Sequence, residues 1–167
     1  MLVAVCCVTQ TVPPVKATDE ESEKESWRRV GETVLYRSSA PTKVTVIGNS
    51  VLIPVTLLYQ GNEVDVQLLL DTGASRTVIH TEIADRLNVD LATARKARGT
   101  VVGGAVIEAY QVTLSRLTVG PRTKENIAVF VIPHKGPPAR YDGLLGMDVL
   151  GDLKYTIDLE RRIILWE

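Results

Sequence analysis

Two short segments carry the residue types that could do chemistry: Asp71-Thr72-Gly73-Ala74-Ser75, and Tyr141-Asp142-Gly143-Leu144-Leu145-Gly146-Met147-Asp148. The first follows Leu68-Leu69-Leu70 directly. A carboxylate placed after an apolar run loses much of its hydration, a cost tolerated only where neighbours hydrogen-bond it or its pKa shifts. Thr72 offers a hydroxyl, and Gly73 lets the backbone turn and approach a ligand closely. A carboxyl in that setting is suited to moving protons as a general acid or base. The same residues also suit an ordinary turn that ends a strand, and this motif by itself leaves both readings open. His80, after a short apolar run, reads as the start of a helix cap, and His134, beside Pro133, as a loop residue at the surface. Ser75 has no base near it in sequence and reads as serving the loop's hydrogen bonding. Arg95-Lys96-Ala97-Arg98 reads as a solvated loop rather than a nucleic-acid patch.

The elements around Asp71 are predicted from alternation and turn residues. Val44-Thr45-Val46-Ile47, the turn-forming Gly48-Asn49-Ser50 and the apolar stretch 51–58 predict a hairpin, with Pro54 marking an edge or a bulge. After Gly61-Asn62, the alternating Val64, Val66, Leu68 and Leu70 predict a strand whose end is apolar on both faces and delivers Asp71 to the interior. Thr77-Val78-Ile79 predicts a short strand, and Thr81 a cap for a helix over 82–87. Further strands are predicted at 99–102, 105–112, 116–119 and 127–132, then a Pro/Gly-rich loop over 133–140. Glycines and a short helix fill 141–153, and 155–159 with 162–166 form a last hairpin. The expected fold is all-β, a closed or partly open barrel of short strands with one or two short helices.

Composition narrows the function. The chain has 167 residues, room for one domain and a tail, and its 45% hydrophobic content supports a proper core. Nineteen basic and twenty acidic residues give a net charge of −1, so nothing electrostatic points to nucleic acid or an anionic membrane. The cysteines are the adjacent pair Cys6 and Cys7, and the histidines are His80 and His134, so neither a disulfide framework nor a Cys- or His-rich metal centre is expected. The apolar 1–8 is too short for a membrane helix. It reads either as the clipped end of a signal or anchor or as a disordered terminus, and the residues leave both open. Pro13-Pro14 and the acidic stretch 19–25 read as a linker. The predicted organisation is a poorly ordered 1–26, an extension of unassigned role at 27–43 and the folded domain at 44–167.

Taken in order along the chain, the two chemistry-bearing segments resemble the clan of pepsin-like and retroviral aspartic proteases, and within it the single-lobe retropepsin branch. In that family a catalytic Asp-Thr-Gly follows an apolar strand, and a later apolar-apolar-Gly segment threads beside it before a helix. Those roles fall here to Asp71-Thr72-Gly73 and to Leu144-Leu145-Gly146. The closing hairpin, Tyr155-Thr156-Ile157-Asp158-Leu159 to Ile163-Ile164-Leu165, is similar to bacterial members of the group. The resemblance covers about 44–167, and the order of the motifs is more specific than either one. It implies an aspartic endopeptidase without metal or organic cofactor, acting on peptide or protein substrates. It further implies that Ala74 and Ser75 bind substrate, and that Val102, Gly103 and Gly104 belong to a mobile flap over it. The residues 100–106 permit a plain hairpin turn equally well.

One Asp-Thr-Gly in the chain, with no Asp-Ser-Gly after it, implies a homodimer in which Asp71 of each copy meets its mate and the Thr72 hydroxyls brace the two loops. Asp142 and Asp148 sit in the wrong local pattern to complete a pair. The alternative is a catalytically silent relative that binds peptides or mediates dimerisation. A carbohydrate- or ligand-binding β-barrel would require the motif order to be coincidence. The apolar start and polar linker lean towards a bacterial envelope location, periplasmic or anchored in the inner membrane by a segment upstream, with the cytoplasm as the other option.

Overall fold

In the computed structural model, residues 29–30, 33–34, 40–100, 104–134 and 140–167 are described. The expected linker, most of the 27–43 extension, the flap-tip residues Val102 and Gly103, and much of the 133–140 loop lie outside them. The element order is β1 (Arg29–Val30), β2 (Thr33–Val34), β3 (Thr42–Lys43), β4 (Thr45–Ile47), β5 (Ser50–Tyr59), β6 (Asn62–Leu70), β7 (Val78–His80) and α1 (Thr81–Arg86), continued by β8 (Arg95–Thr100), β9 (Val106–Val119), β10 (Arg122–Ile132), β11 (Gly143–Leu145), α2 (Met147–Leu150), β12 (Tyr155–Asp158) and β13 (Ile163–Trp166). The fold is all-β with two short helices, as the alternation predicted.

The alternating pattern becomes the core. Val64, Val66 and Leu68 of β6 are buried while Glu63, Asp65 and Gln67 between them face solvent. Eight strands form one sheet in the order β4-β5-β6-β11-β7-β10-β9-β8, and β5 also pairs with β9 through Val55↔Val119 to Leu58↔Arg116. That extra pairing closes β5, β6, β11, β7, β10 and β9 into a ring around the buried side chains Ile53, Leu57, Leu68, Ile79, Leu114, Leu117 and Leu145. A separate three-stranded sheet, β12-β13-β3, contributes Ile164 and Trp166 to the same core. β1 and β2 pair with each other as a two-stranded sheet.

Pro54 finds a position that needs no N–H. It lies opposite Gln67 on β6, and Gln67 uses its own N–H and C=O on Asp142 rather than on β5. Pro54 therefore occupies a non-hydrogen-bonded pair, with its nitrogen turned to the other edge of β5. There β4 stops at Leu52 and β9 begins at Val55, so the missing donor falls in a gap in the pairing.

Several predicted boundaries differ. The strands expected at 105–112 and 116–119 are one fourteen-residue strand, β9, because it must pair with β8, β10 and β5 along its length. The basic cluster Arg95-Lys96-Ala97-Arg98 is not a loop but the first part of β8, the edge strand, bonded in register to β9. Charged side chains on an exposed edge oppose pairing with foreign strands, which suits this position. Thr81 is the first helical residue of α1, not its cap; His80 holds the cap position and Thr81 Oγ1 donates to Glu82.

Trp166 packs the C-terminal sheet onto the ring, its indole filling the space a Cβ would need at Gly120 between β9 and β10. It is 1% exposed, its ring lies 6.1 Å from that of Tyr155, and its Nε1 donates to Thr42 Oγ1 at 2.8 Å. Burial pushes the Tyr155 hydroxyl pKa up. Trp166→Ala is expected to destabilise the protein by about 3–5 kcal/mol, and Trp166→Phe by clearly less because most of the buried area is kept. Urea unfolding of the two variants beside the parent checks the order.

Candidate active site

Asp71 stands where β6 runs out between two neighbours. Its N–H donates to Leu145 O at 3.1 Å, extending the parallel ladder in which Leu69 faces Leu144 and Leu70 faces Leu145. The chain then turns back on itself: Gly73 N–H donates to Asp71 Oδ1 at 2.9 Å, and Ala74 N–H to Asp71 O at 3.2 Å. The carboxylate is thus oriented by its own loop while remaining half-buried, with Thr72, Gly73 and Ser75 exposed around it.

The second motif holds this loop from beneath. Met147 N–H donates to Ala74 O at 2.8 Å. Asp148, in the first turn of α2, accepts from both donors of Thr77: the backbone N–H at 3.0 Å and the hydroxyl at 2.7 Å. The Thr77 hydroxyl in turn accepts from Gly146 N–H at 3.2 Å. Thr77 is fully buried, so each bond replaces water that cannot reach it. Gly146 can only be glycine here, because a Cβ would sit 2.9 Å from Thr77 N and closer still to the Arg76 carbonyl group. Gly143 is confined likewise, its Cβ direction being filled by the β7 backbone at Ile79 Cα, 2.8 Å away. Lys124 adds a tie from β10, donating to Asp148 O and Asp152 Oδ2.

Register defines a floor that leads away from Asp71. Leu69, Leu144, Val78 and Phe130 form one row across β6, β11, β7 and β10, all half-buried. Asp71 lies two residues beyond Leu69, on the same side of the sheet. The next row in the other direction is Gln67, Asp142, His80 and Ile132. Asp142 is anchored there, its Oδ2 accepting Gln67 N–H at 2.7 Å and its carbonyl accepting His80 N–H at 3.0 Å. Burial, and then the neighbouring His134, hold the His80 imidazole below its ordinary pKa against the opposing pull of Glu82 and Asp142. β8 and β9 rise beside this floor as two antiparallel arms paired up to Thr100↔Val106, with Gly104 in a positive-φ conformation at +82°.

The structure therefore brings Asp71, Gly73 and Ala74 together with Leu144, Leu145 and Gly146. Thr72 and Ser75 lie on the rim, and of the expected flap residues Gly104 alone is among those described. Sequence reasoning missed Thr77 and the bracing role of Asp148, whose one local signal is an acidic residue in the first turn of a helix. It also read His80 only as a cap, although its ring faces the floor. Among the described residues no three His, Cys, Asp or Glu side chains converge as a metal site, and no helix is long and apolar enough to cross a membrane.

Comparison with known proteins gives a family and a fold. The family profile described as aspartyl protease matches residues 53–149. A retropepsin-like aspartic protease from Rickettsia conorii superposes with a TM-score of 0.56 at 22% identity, covering 75% of this chain and 98% of its own. The retroviral protease-like domain of Ddi1 from Leishmania major gives a TM-score of 0.47 at 20% identity, with 75% and 89% covered. EIAV protease complexed with the inhibitor HBY-793 gives 0.46 at 23%, with 65% and 91% covered. A search of curated protein sequences finds no significant match.

Replacing Asp148 separates geometry from charge. Asp148→Ala leaves two buried Thr77 donors without an acceptor and is expected to cost about 2–3 kcal/mol. Asp148→Asn keeps an acceptor for the Thr77 N–H and turns its NH2 into a donor to the Thr77 hydroxyl oxygen, so it is expected to cost less in the same urea titration.

Proposed function

The chain belongs to the aspartyl protease family, and from that premise we propose that it is an aspartic endopeptidase whose working unit is a homodimer. The observation that carries the reading is the state of the acids around the loop. The Asp148 carboxylate is spent on Thr77, and Asp142 on Gln67 at the far row. Asp71 is left as the acid whose carboxylate is held by its own loop at an accessible rim. Hydrolysis of a peptide bond by this chemistry needs two carboxyls, one to take a proton from water and one to give a proton to the carbonyl oxygen. A two-fold axis beside the loop supplies the second as Asp71 of the other copy.

Two carboxyls held against each other share one proton, since both cannot be ionised at that separation. The ionised member takes a proton from the water between them as that water attacks the scissile carbonyl carbon. The protonated member gives its proton to the carbonyl oxygen, and a tetrahedral gem-diol forms with no bond to the enzyme. Collapse breaks the C–N bond: the protonated carboxyl gives its proton to the departing amine, the ionised one takes a proton from a gem-diol hydroxyl as the new C=O forms, and the dyad again holds one proton. Thr72, on the exposed rim, would steady the opposite loop, and Ala74 and Ser75 would meet the peptide backbone. The β8 and β9 arms would close over the substrate as a flap, excluding water from the site. The protease domain is assigned to 44–167, with β3 of the preceding extension completing the C-terminal sheet.

Asp71→Asn is expected to lower cleavage of a diverse peptide mixture by more than about 10³-fold while leaving folding unchanged, since both proton-transfer groups of each pair are lost. Equal cleavage by parent and variant, followed by mass spectrometry of the products from acid to neutral pH, would sink the reading. Peptide binding without cleavage by the parent protein would instead make this a silent relative.

A further inference from the structure

The floor that starts at Asp71 opens at its far end into a pocket of about 590 Å³, well within the roughly 300–1,000 Å³ of typical ligand sites. Val78 and Leu144 form its apolar base, His80, His134 and Tyr141 its distal wall, and Glu108 looks in from the β9 arm. At about 3.3 Å per residue, these rows stand roughly 7–13 Å along the sheet from Asp71, a distance a bound peptide spans with its neighbouring side chains. The wall is firmly placed: the His80 ring is 4.9 Å from that of His134 and 5.9 Å from that of Tyr141, and His80 is 8% exposed.

The charges lining this pocket are few. Among the described residues that line it, Glu108 alone carries a carboxylate or a permanent charge. Protonation of His80 would set a positive charge in the wall that the same cavity shares with that carboxylate. We infer that the pocket takes a basic side chain of the substrate, lysine or arginine, with its stem on Val78 and Leu144 and its cation between the aromatic wall and the Glu108 carboxylate, and that protonation of His80 weakens its hold. The inference rests on the peptidase reading above.

The chemistry of each contact fits. Long basic side chains lay their methylenes on apolar surface while the charged head seeks polar partners. A cation is attracted to the face of a tyrosine ring and forms charge-assisted hydrogen bonds with a carboxylate. Arg98 stands across from Glu108 in the β8–β9 ladder and both border the neighbouring groove, so Glu108 lies between the two grooves, and no ion pair joins it to Arg98 among the described residues. The groups facing His80 are Glu82 from α1, Asp142 and Tyr141 from the segment before β11, His134 after β10, and Glu108 across the pocket. Burial and His134 outweigh the two acids that pull the other way, so His80 is neutral near pH 7. Acidification then charges the wall that the substrate cation must approach.

Immobilised Asp71→Asn protein, challenged with a mixture of random octapeptides at pH 7.5 and pH 5.0, tests this without requiring turnover. Peptides with Lys or Arg are expected to be enriched about tenfold over those with Gln or Met at pH 7.5, the scale of one well-placed side-chain contact. That enrichment should fall at pH 5.0, and vanish at both pH values once Glu108→Gln is added. With His80→Gln in place of Glu108→Gln, the enrichment should be preserved at pH 5.0. No basic enrichment, enrichment unaffected by Glu108→Gln, or no retained peptide at all would each overturn the inference. Parent enzyme offered the retained pool separates the two readings. A retained basic pool left uncleaved contradicts the peptidase, whereas cleavage indifferent to basic side chains contradicts the pocket.

Discussion

Two donors of one buried threonine meeting one carboxylate, Thr77 with Asp148, fix the position of nearly everything that matters here. The loop 71–77 leaves β6, crosses over and re-enters the sheet as β7, so its shape is set by where Thr77 is pinned. α2 begins immediately after β11, so the same contact also sets the second motif against the first. The Gly146 backbone must lie within contact of Arg76 and Thr77 for the bond to form, and any side chain at 146 would force the two motifs apart. The Asp71 carboxyl is thus oriented by a lattice of backbone and buried side-chain bonds below it, leaving Thr72, Gly73 and Ser75 on the upper surface of the loop exposed. A site held in this way gives up little reorganisation energy when charge develops on it.

Much of the architecture was legible because it depends on local pattern. Val64, Val66 and Leu68 announced a half-buried strand, and the apolar 68–70 announced that it ends in the interior. Turn residues at 48–49 and near 61 placed two hairpins. The misreadings have a common cause. β9 looked like two strands because Thr113 and Ser115 are polar, yet those positions face outward on a strand held by three partners. The run 95–98 looked like a solvated loop because three of its four residues are basic, yet the backbone of an edge strand pairs whatever its side chains carry.

The site was legible to the same depth. Asp71 and Leu144-Leu145-Gly146 stand out through their neighbours in sequence. Thr77 and Asp148 are 71 positions apart, and nothing local to either says that they meet. His80 was read from its helix start, while the ring pair with His134 depends on β7 and β10 running in parallel, a property of the folded sheet. Such long-range pairings decide what the floor of the cleft presents to a ligand, and therefore what it selects.

In the proposed reaction a single carboxylate on a rigid loop would make the oligomer part of the chemistry, and mixing copies tests this most directly. A fixed amount of parent enzyme is titrated with Asp71→Asn protein, and cleavage of one peptide is followed after the subunits have exchanged. If each active unit takes one Asp71 from each copy, mixed dimers are dead and activity falls towards zero as the variant is added in excess. Activity that stays constant, whatever the amount of variant, would mean that each chain carries a complete site of its own and would contradict the account.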